Sequence, residues 1–307
     1  MRLYQFGYAR TRDKIYPVPV TISSAVRQAL ESGSAVVALE SAVITHGLPR
    51  NAALDAVGRQ RAACEAAGTM PAVVGVFKGE LRVGLTIDEC VELAEHSNAA
   101  KVSPWNLAST IVSGGYGGTT VAATMIAAEL AGIHVMSTGG IGGVHPGDGQ
   151  DVSADLTELA RRRVCVVCSG PKSILDAAAT LERLETAGVP VLGWRSDRLA
   201  GFLAHTVDLP VSGCIDTSEQ LVEVVLRHWE LTGTAVVVSN PLPESLAIPA
   251  ADLSGADGEE ERGASRTPAA LHRLQSRLGD RVIVANVALL ERNAGLAAEI
   301  ARAFIGR

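Results

Sequence analysis

Aromatic side chains are scarce in this sequence, 4% of its 307 residues, although 47% of the residues are hydrophobic. Ala, Val, Leu and Gly carry the apolar mass instead, which suits closely packed layers of helix on sheet and disfavours an aromatic-rich β-sandwich. Positive charge is not in surplus either: 27 Lys and Arg against 33 Asp and Glu give a formal net charge of -6. Gripping a phosphate backbone requires a basic face, so nucleic acid is not expected as a partner. No run of about 18 uncharged apolar residues occurs, and the opening MRLYQFGYARTRDK lacks the apolar stretch of a secretory signal. The expectation is a soluble, cytoplasmic protein that makes no membrane contact. Cysteines are few, odd in number and set in apolar contexts (Cys64, Cys90, Cys165, Cys168, Cys214), as reduced core residues of a cytosolic protein are. Cys165 and Cys168 form a CxxC, but strand positions three apart face opposite sides, which argues against a redox or zinc pair. Neither an internal repeat nor a domain boundary is visible, so residues 1–307 read as one domain whose first twenty or so residues are an extension.

What is present is a series of short apolar runs that end in polar turns. The most informative is VCVVCSGPKSILDAAATLERLETAGVPVLGW, residues 164–194. VCVVC reads as a strand buried on both faces, stopped by Ser169-Gly170-Pro171 before a helical repeat beginning near Ser173. Lys172 then stands at a strand-to-helix corner, on the edge where open α/β sheets bind ligands. The partial positive charge of a helix amino terminus disfavours an ammonium, and an amine nucleophile needs its unprotonated form. A turn lysine pointing to solvent is the alternative, and spacing leaves both open. AVVALE, residues 35–40, is a second buried strand that sets Glu40 on the same edge. A structural glutamate paired with a local arginine would give the same pattern.

Two glycine-rich stretches lie between these strands and Lys172. SGGYGGTTVAATM leads into a helix through Thr119 and Thr120, and TGGIGGVHPGDGQD follows a strand over 133–137. Glycines ahead of a helix let backbone N–H groups approach a phosphate; close packing by small residues is the competing reason for them. Neither stretch matches a P-loop or a dinucleotide fingerprint. Asp151, Ser153 and Asp155 then offer oxygens at alternate positions before a helix over 156–162, a set suited to Mg²⁺ or Mn²⁺ held partly by waters. The same residues fit an N-cap with an acid in the first turn. A polar, acidic stretch over 250–266 reads as a loop or insertion.

The ordered blocks ALESAVITHGLP, LRVGLT, KVS, GGTTVAATMIAAELAGI, STGGIGGVH, DVSADLTELA, VVCSGPKSILD, LETAGVPVLGW, SNPLPE and ANVALLERNAGLAAEIA resemble the pseudouridine-5′-phosphate glycosidase, or indigoidine synthase A-like, family from about Val36 to Ala303. The resemblance implies a three-layer α/β/α sandwich on a mostly parallel mixed sheet, assembled as a homotrimer. It implies chemistry at the C-glycosidic bond of ribose 5-phosphate with a divalent cation, Mn²⁺ or another such as Mg²⁺. Carried over by motif, Lys172 of GPKSILD would form an imine with C1 of the open-chain sugar, and Glu40 of ALE would give or take the proton. Asp151 would hold the metal, and Ser153, Ala154 and Asp155 would contact the sugar phosphate, Asp155 being a second acid/base candidate. Lys101 of KVS, Val121, and Thr138 and His145 of STGGIGGVH would line the substrate site, and Asn286 of ANVAL would reach the base.

That chemistry accounts for the residue types. A C–C glycosidic bond has no heteroatom leaving group to protonate, so a pair of carboxylates does not suffice. A lysine imine supplies an electrophilic carbon that a nucleophilic ring carbon attacks, or that the reverse reaction regenerates. Two departures from the family pattern bear on the acceptor. The run after Lys101-Val102 is Ser103-Pro104-Trp105-Asn106-Leu107 where the family carries SRRDL, and His145-Pro146-Gly147 stands where it carries HRG. Lost arginines and a gained tryptophan suggest an acceptor larger and less polar than uracil, while weaker phosphate binding alone is the other meaning of the lost arginines. The expectation is therefore a C-glycosynthase joining ribose 5-phosphate to a naphthoquinone-like aromatic, as in the branch that includes the enzyme of alnumycin formation; cleavage of pseudouridine 5′-phosphate to uracil and ribose 5-phosphate is the alternative.

Overall fold

The computed structural model describes residues 20–253 and 266–307. In chain order its first half contains β1 (Thr21–Ile22), α1 (Ser24–Glu31), β2 (Val36–Leu39), a π-turn at Val43–Gly47, α2 (Arg50–Ala66), β3 (Met70–Phe77), β4 (Glu80–Val83), α3 (Ile87–Glu95), β5 (Ala100–Val102), α4 (Pro104–Val112), β6 (Gly117–Thr119), α5 (Val121–Ala131) and β7 (Val135–Ser137). The second half adds α6 (Ala154–Leu159), β8 (Cys165–Cys168), α7 (Ala177–Thr186), β9 (Val191–Trp194), β10 (Arg198–Ala200), β11 (Thr206–Pro210), β12 (Gly213–Ile215), α8 (Ser218–Leu231), β13 (Val236–Ser239), α9 (Ala250–Leu253), α10 (Arg266–Leu278) and α11 (Asp280–Ala303).

The strands that read as uninterrupted apolar runs are the centre of one sheet, ordered β1-β4-β3-β2-β7-β8-β13-β9-β12, with β6 and β5 paired off β3. From β3 to β12 all neighbours along that path are parallel, while β4 and β6 run antiparallel to β3. Alternate side chains enter two separate cores. Val37, Leu39, Cys165 and Val167 pack on the side of α2, α8 and α11, and Val36, Ala38, Val166 and Cys168 on the side of α1 and α5. Both faces are thus covered by helices, which is why these strands lack the polar alternation of a half-exposed sheet. The CxxC cysteines do face opposite layers. Cys214 departs from the expected core position: it is exposed, because β12 is the edge of the sheet.

The topology reverses between β2 and β7. After β2 the chain moves outward to β3 and β4, whereas after β7 it moves the other way to β8, so a crevice opens at the carboxyl ends of β2 and β7. Among the described residues no helix is long and apolar enough to cross a membrane.

Candidate active site

Glu40 is the first residue past β2 and Thr138 the first past β7, on the two sides of the crevice. Both are buried, and the Thr138 Oγ1 donates to Glu40 Oε1 at 2.6 Å. Burial pushes the Glu40 carboxyl above its ordinary value, and the charge of Asp155 adds to this. Lys172, the Thr138 hydroxyl and Lys101 pull the other way, less strongly. The net result is a carboxyl that keeps its proton to higher pH, as a general acid requires. Thr138, expected on the substrate wall, instead lies behind Glu40, fully buried, and orients it.

Two lysines face this acid. Lys101, in the middle of β5, is lowered to about 8, first by burial and then by the charge of Lys172. Two ammonium groups crowded into one cleft repel, and giving up one proton relieves the pair. Lys172 sits in the loop after β8, its N–H bonded to the Ile141 oxygen at 3.1 Å. Here the helix expected to start near Ser173 starts only at Ala177, capped by Asp176, because Ile174 and Leu175 turn into the core first. The helix end is therefore not beside Lys172, and its environment comes from the cleft. Gly170, two residues earlier, has a φ of 82°, and a Cβ there would overlap the Ala200 carbonyl oxygen, so the loop admits only glycine.

Glu40, Ala42, Lys101 and Lys172 line two adjoining hollows, which makes them the waist of a cleft with two lobes. The polar lobe includes Thr120, Val121, His145, Asp151, Ser153, Ala154 and Asp155. Ser153 caps α6 as expected, accepting from the Asp155 N–H at 3.2 Å. Asp155 also bridges two loops, its carboxylate oxygens accepting from the Ala122 N–H at 2.9 Å and the Gly142 N–H at 2.8 Å. It ties the two glycine-rich segments together at the lobe wall. With both oxygens so engaged, Asp155 is placed as a clamp, and Glu40 is left as the better-placed acid/base carboxyl. The glycines themselves serve close packing: a Cβ on Gly142 would overlap the Ser153 hydroxyl, and one on Gly118 the Thr45 hydroxyl.

Asp151, the expected metal ligand, is engaged otherwise. Its Oδ2 is ion-paired with Arg266 Nη1 at 3.1 Å, and Arg266 also donates to the Pro146 oxygen at 3.0 Å. Among the described residues no group of three His, Cys, Asp or Glu side chains is arranged to hold a metal. One carboxylate plus waters and a substrate phosphate can hold Mg²⁺ or Mn²⁺, but a divalent ion on this carboxylate would meet a buried guanidinium. As the residues stand they do not fit the expected metal.

The other lobe is lined by Val43, His46, Phe202, Leu271, Asn286 and Leu290, apart from the shared waist. His46 is presented by the π-turn and shares a 2.7 Å hydrogen bond with the Thr45 hydroxyl; burial, then the Lys101 charge, lower its pKa. Asn286 stands here as expected. Trp105 does not: it is 76% exposed, at the rim of the polar lobe and away from this one. The run Ser103–Leu107 begins α4, with Ser103 as N-cap, Pro104 in the first turn and the Asn106 side chain accepting from the Ser103 N–H at 2.8 Å. Sequence reasoning missed His46, Arg266 and Asn293. The last is fully buried on α11, seven residues and so two turns from Asn286; its amide donates to the Thr138 oxygen at 2.9 Å and accepts from the Asn240 amide at 3.0 Å. It thereby joins the ends of β7 and β13.

With this geometry in hand, comparison with known proteins is decisive for the family. The indigoidine synthase A like protein model matches residues 25–303. A pseudouridine-5′-phosphate glycosidase of Sorangium cellulosum is 44% identical over 295 residues, covering 92% of this chain and 93% of its own. An indigoidine synthase A-like protein of Thermotoga maritima, solved by crystallography, superposes with a TM-score of 0.86 at 34% identity, over 92% of this chain and 95% of its own. The prealnumycin C-glycosynthase AlnA, solved with ribulose 5-phosphate, gives 0.84 at 34% identity, over 92% and 96%. An α/β enzyme with an acid and two lysines at its topological switch is thus defined. The chain belongs to the indigoidine synthase A-like family.

Proposed function

We propose that the chain is a pseudouridine-5′-phosphate glycosidase, reversibly converting pseudouridine 5′-phosphate to uracil and ribose 5-phosphate. The observation that carries this is the waist of the cleft, where Glu40, Lys101 and Lys172 stand between a polar lobe and an acceptor lobe, and the names of the curated relatives support it. The sugar phosphate takes the polar lobe against Thr120, Val121, His145 and Ser153 to Asp155; uracil takes the acceptor lobe against Asn286. In the cleavage direction the Lys172 amine displaces the ring oxygen at C1′, which leaves as a hydroxyl with a proton from Glu40. The nitrogen lone pair then forms an iminium and expels the base carbon, which keeps the bonding pair and takes up a proton. Water releases ribose 5-phosphate and the lysine. Synthesis reverses each step, and Lys101 holds the anionic sugar in register.

C-glycosynthesis onto a naphthoquinone-like aromatic is the second reading, supported by the likeness to the prealnumycin enzyme and by the apolar Val43, Phe202, Leu271 and Leu290. Trp105 does not favour it, since that side chain borders the sugar-phosphate lobe. We further propose a cytoplasmic homotrimer, for which sedimentation is the check. Incubation with ribose 5-phosphate and uracil, and separately with a dihydroxynaphthoquinone, decides between the acceptors: pseudouridine 5′-phosphate formation with no naphthoquinone product is expected, and the reverse result rejects the assignment.

A further inference from the structure

We propose that Arg266, paired from behind the lobe wall with the lining residue Asp151, takes the role expected of a divalent metal, so that the chain binds sugar phosphate without Mn²⁺. The proposal rests on the reading of this lobe as the sugar-phosphate site. Arg266 is buried, and buried charge is retained only where it is paired and hydrogen-bonded. One short loop contributes to both. Nη1 reaches Asp151 Oδ2 at 3.1 Å and Nη2 reaches the Pro146 backbone oxygen at 3.0 Å, while the His145 N–H closes the loop on the Asp151 backbone carbonyl at 2.9 Å. The guanidinium therefore fixes the segment that carries His145 and Asp151 into the lobe, a positioning role that a bound metal would otherwise fill. It is contributed by α10, 115 residues away in sequence.

A divalent ion directly bound to Asp151 would have to displace Arg266 from Oδ2 or sit within a few ångströms of its charge. Displacement would cost a buried guanidinium its ion pair with Asp151, and proximity sets positive against positive in a poorly screened place. Either way the affinity of Asp151 for a cation is held down by a residue of the chain itself. Removing that charge restores an ordinary carboxylate ligand.

The test uses the full chain, stripped of metal by chelator. Mn²⁺ binding is followed by loss of the free-ion paramagnetic resonance signal, and ribose 5-phosphate binding by calorimetry with and without Mn²⁺. Wild type and Arg266→Lys are expected to bind Mn²⁺ weakly and ribose 5-phosphate equally well in either buffer. Arg266→Gln, which keeps a donor for the Pro146 oxygen, is expected to bind Mn²⁺ at least about tenfold more tightly, a difference well within what one nearby charge produces. Its affinity for ribose 5-phosphate should fall in chelator and recover with Mn²⁺, and adding Asp151→Asn should abolish both effects. Tight stoichiometric Mn²⁺ binding by wild type, or wild-type sugar-phosphate binding that needs Mn²⁺, overturns the proposal without any variant; so does an Arg266→Gln protein with no gain in Mn²⁺ affinity. Ribose 5-phosphate binding in neither buffer counts against the functional assignment, and the Mn²⁺ titrations alone then decide the role of Arg266.

Discussion

The Thr138 hydroxyl donates to the Glu40 carboxyl across the point where the sheet changes direction, at 2.6 Å. The bond joins the ends of two parallel strands that are neighbours in space and 98 residues apart in sequence. Behind it, the Asn293 amide holds the Thr138 carbonyl. The acid of the cleft is thus oriented by a relay that begins on the last helix.

Removing the hydroxyl should act on Glu40 and not on the fold alone. The hydrogen bond favours the ionised carboxylate, so Thr138→Val moves the pH limb assigned to Glu40 further up. A charge-assisted bond of this kind amounts to about 1.5–3 kcal/mol, and kcat is expected to fall about tenfold or more. Thr138→Ser restores the donor and should restore both kcat and the limb. A pH–kcat profile of the valine variant that superposes on wild type would exclude the orienting role.

Lys101 gives a second pH signature. Its ammonium loses its proton around pH 8, well below an ordinary lysine, since burial and Lys172 both disfavour the charge. On the proposed function it is cationic below that value and holds the anionic sugar, and above it the attraction is lost. We expect kcat/KM for pseudouridine 5′-phosphate to fall as pH rises past about 8. In Lys101→Arg, which stays charged, the descending limb should move to higher pH, and the profile measured from neutral to strongly alkaline buffer checks it.

Asp155 separates a clamp from a base. Asn in its place can accept one of the two backbone N–H bonds and sets its own amide against the other, leaving a buried donor unmet at a cost of about 1–3 kcal/mol. With the two glycine segments no longer drawn together, KM for the sugar phosphate should rise about tenfold or more, with a smaller change in kcat. A general base would show the opposite split, a loss of about 10²–10⁴-fold in kcat at constant KM.

How much of the molecule was written in the sequence depended on the reach of each interaction. The buried strands β2 and β8 are legible, because their apolar runs are local signals. Glu40, Lys101 and Lys172 could be named, and the structure brings all three to one waist. The helix after Lys172 starts later than its pattern suggests, since ILDAAATL continues a helical repeat backwards into a loop whose Ile174 and Leu175 are core. Arg266 and Asn293 escaped altogether. Their partners lie 115 and 155 residues away, and no spacing announces such contacts. Part of the expected acidic loop, residues 254–265, lies outside the described residues. Trp105 does not stand where the acceptor reading of it requires, since α4 carries it to the rim of the other lobe.

That placement yields a paired prediction on acceptor choice. Trp105→Ala should change KM for ribose 5-phosphate and leave the ratio of uracil to naphthoquinone turnover where it was. Asn286→Leu, which removes the polar group facing the base, should shift that ratio by about tenfold or more against uracil, the effect of one lost hydrogen bond of about 1.4 kcal/mol. Competition assays with both acceptors present measure it directly.

The central claim is that Lys172, and not the neighbouring Lys101 with its depressed pKa, carries the sugar. Borohydride reduction in the presence of ribose 5-phosphate, followed by peptide mass mapping, tests it. The account predicts one reduced pentose phosphate adduct per chain, on the peptide containing Lys172, persisting in Lys101→Arg and absent in Lys172→Ala. An adduct on Lys101, or turnover by Lys172→Ala at the wild-type rate, would contradict it.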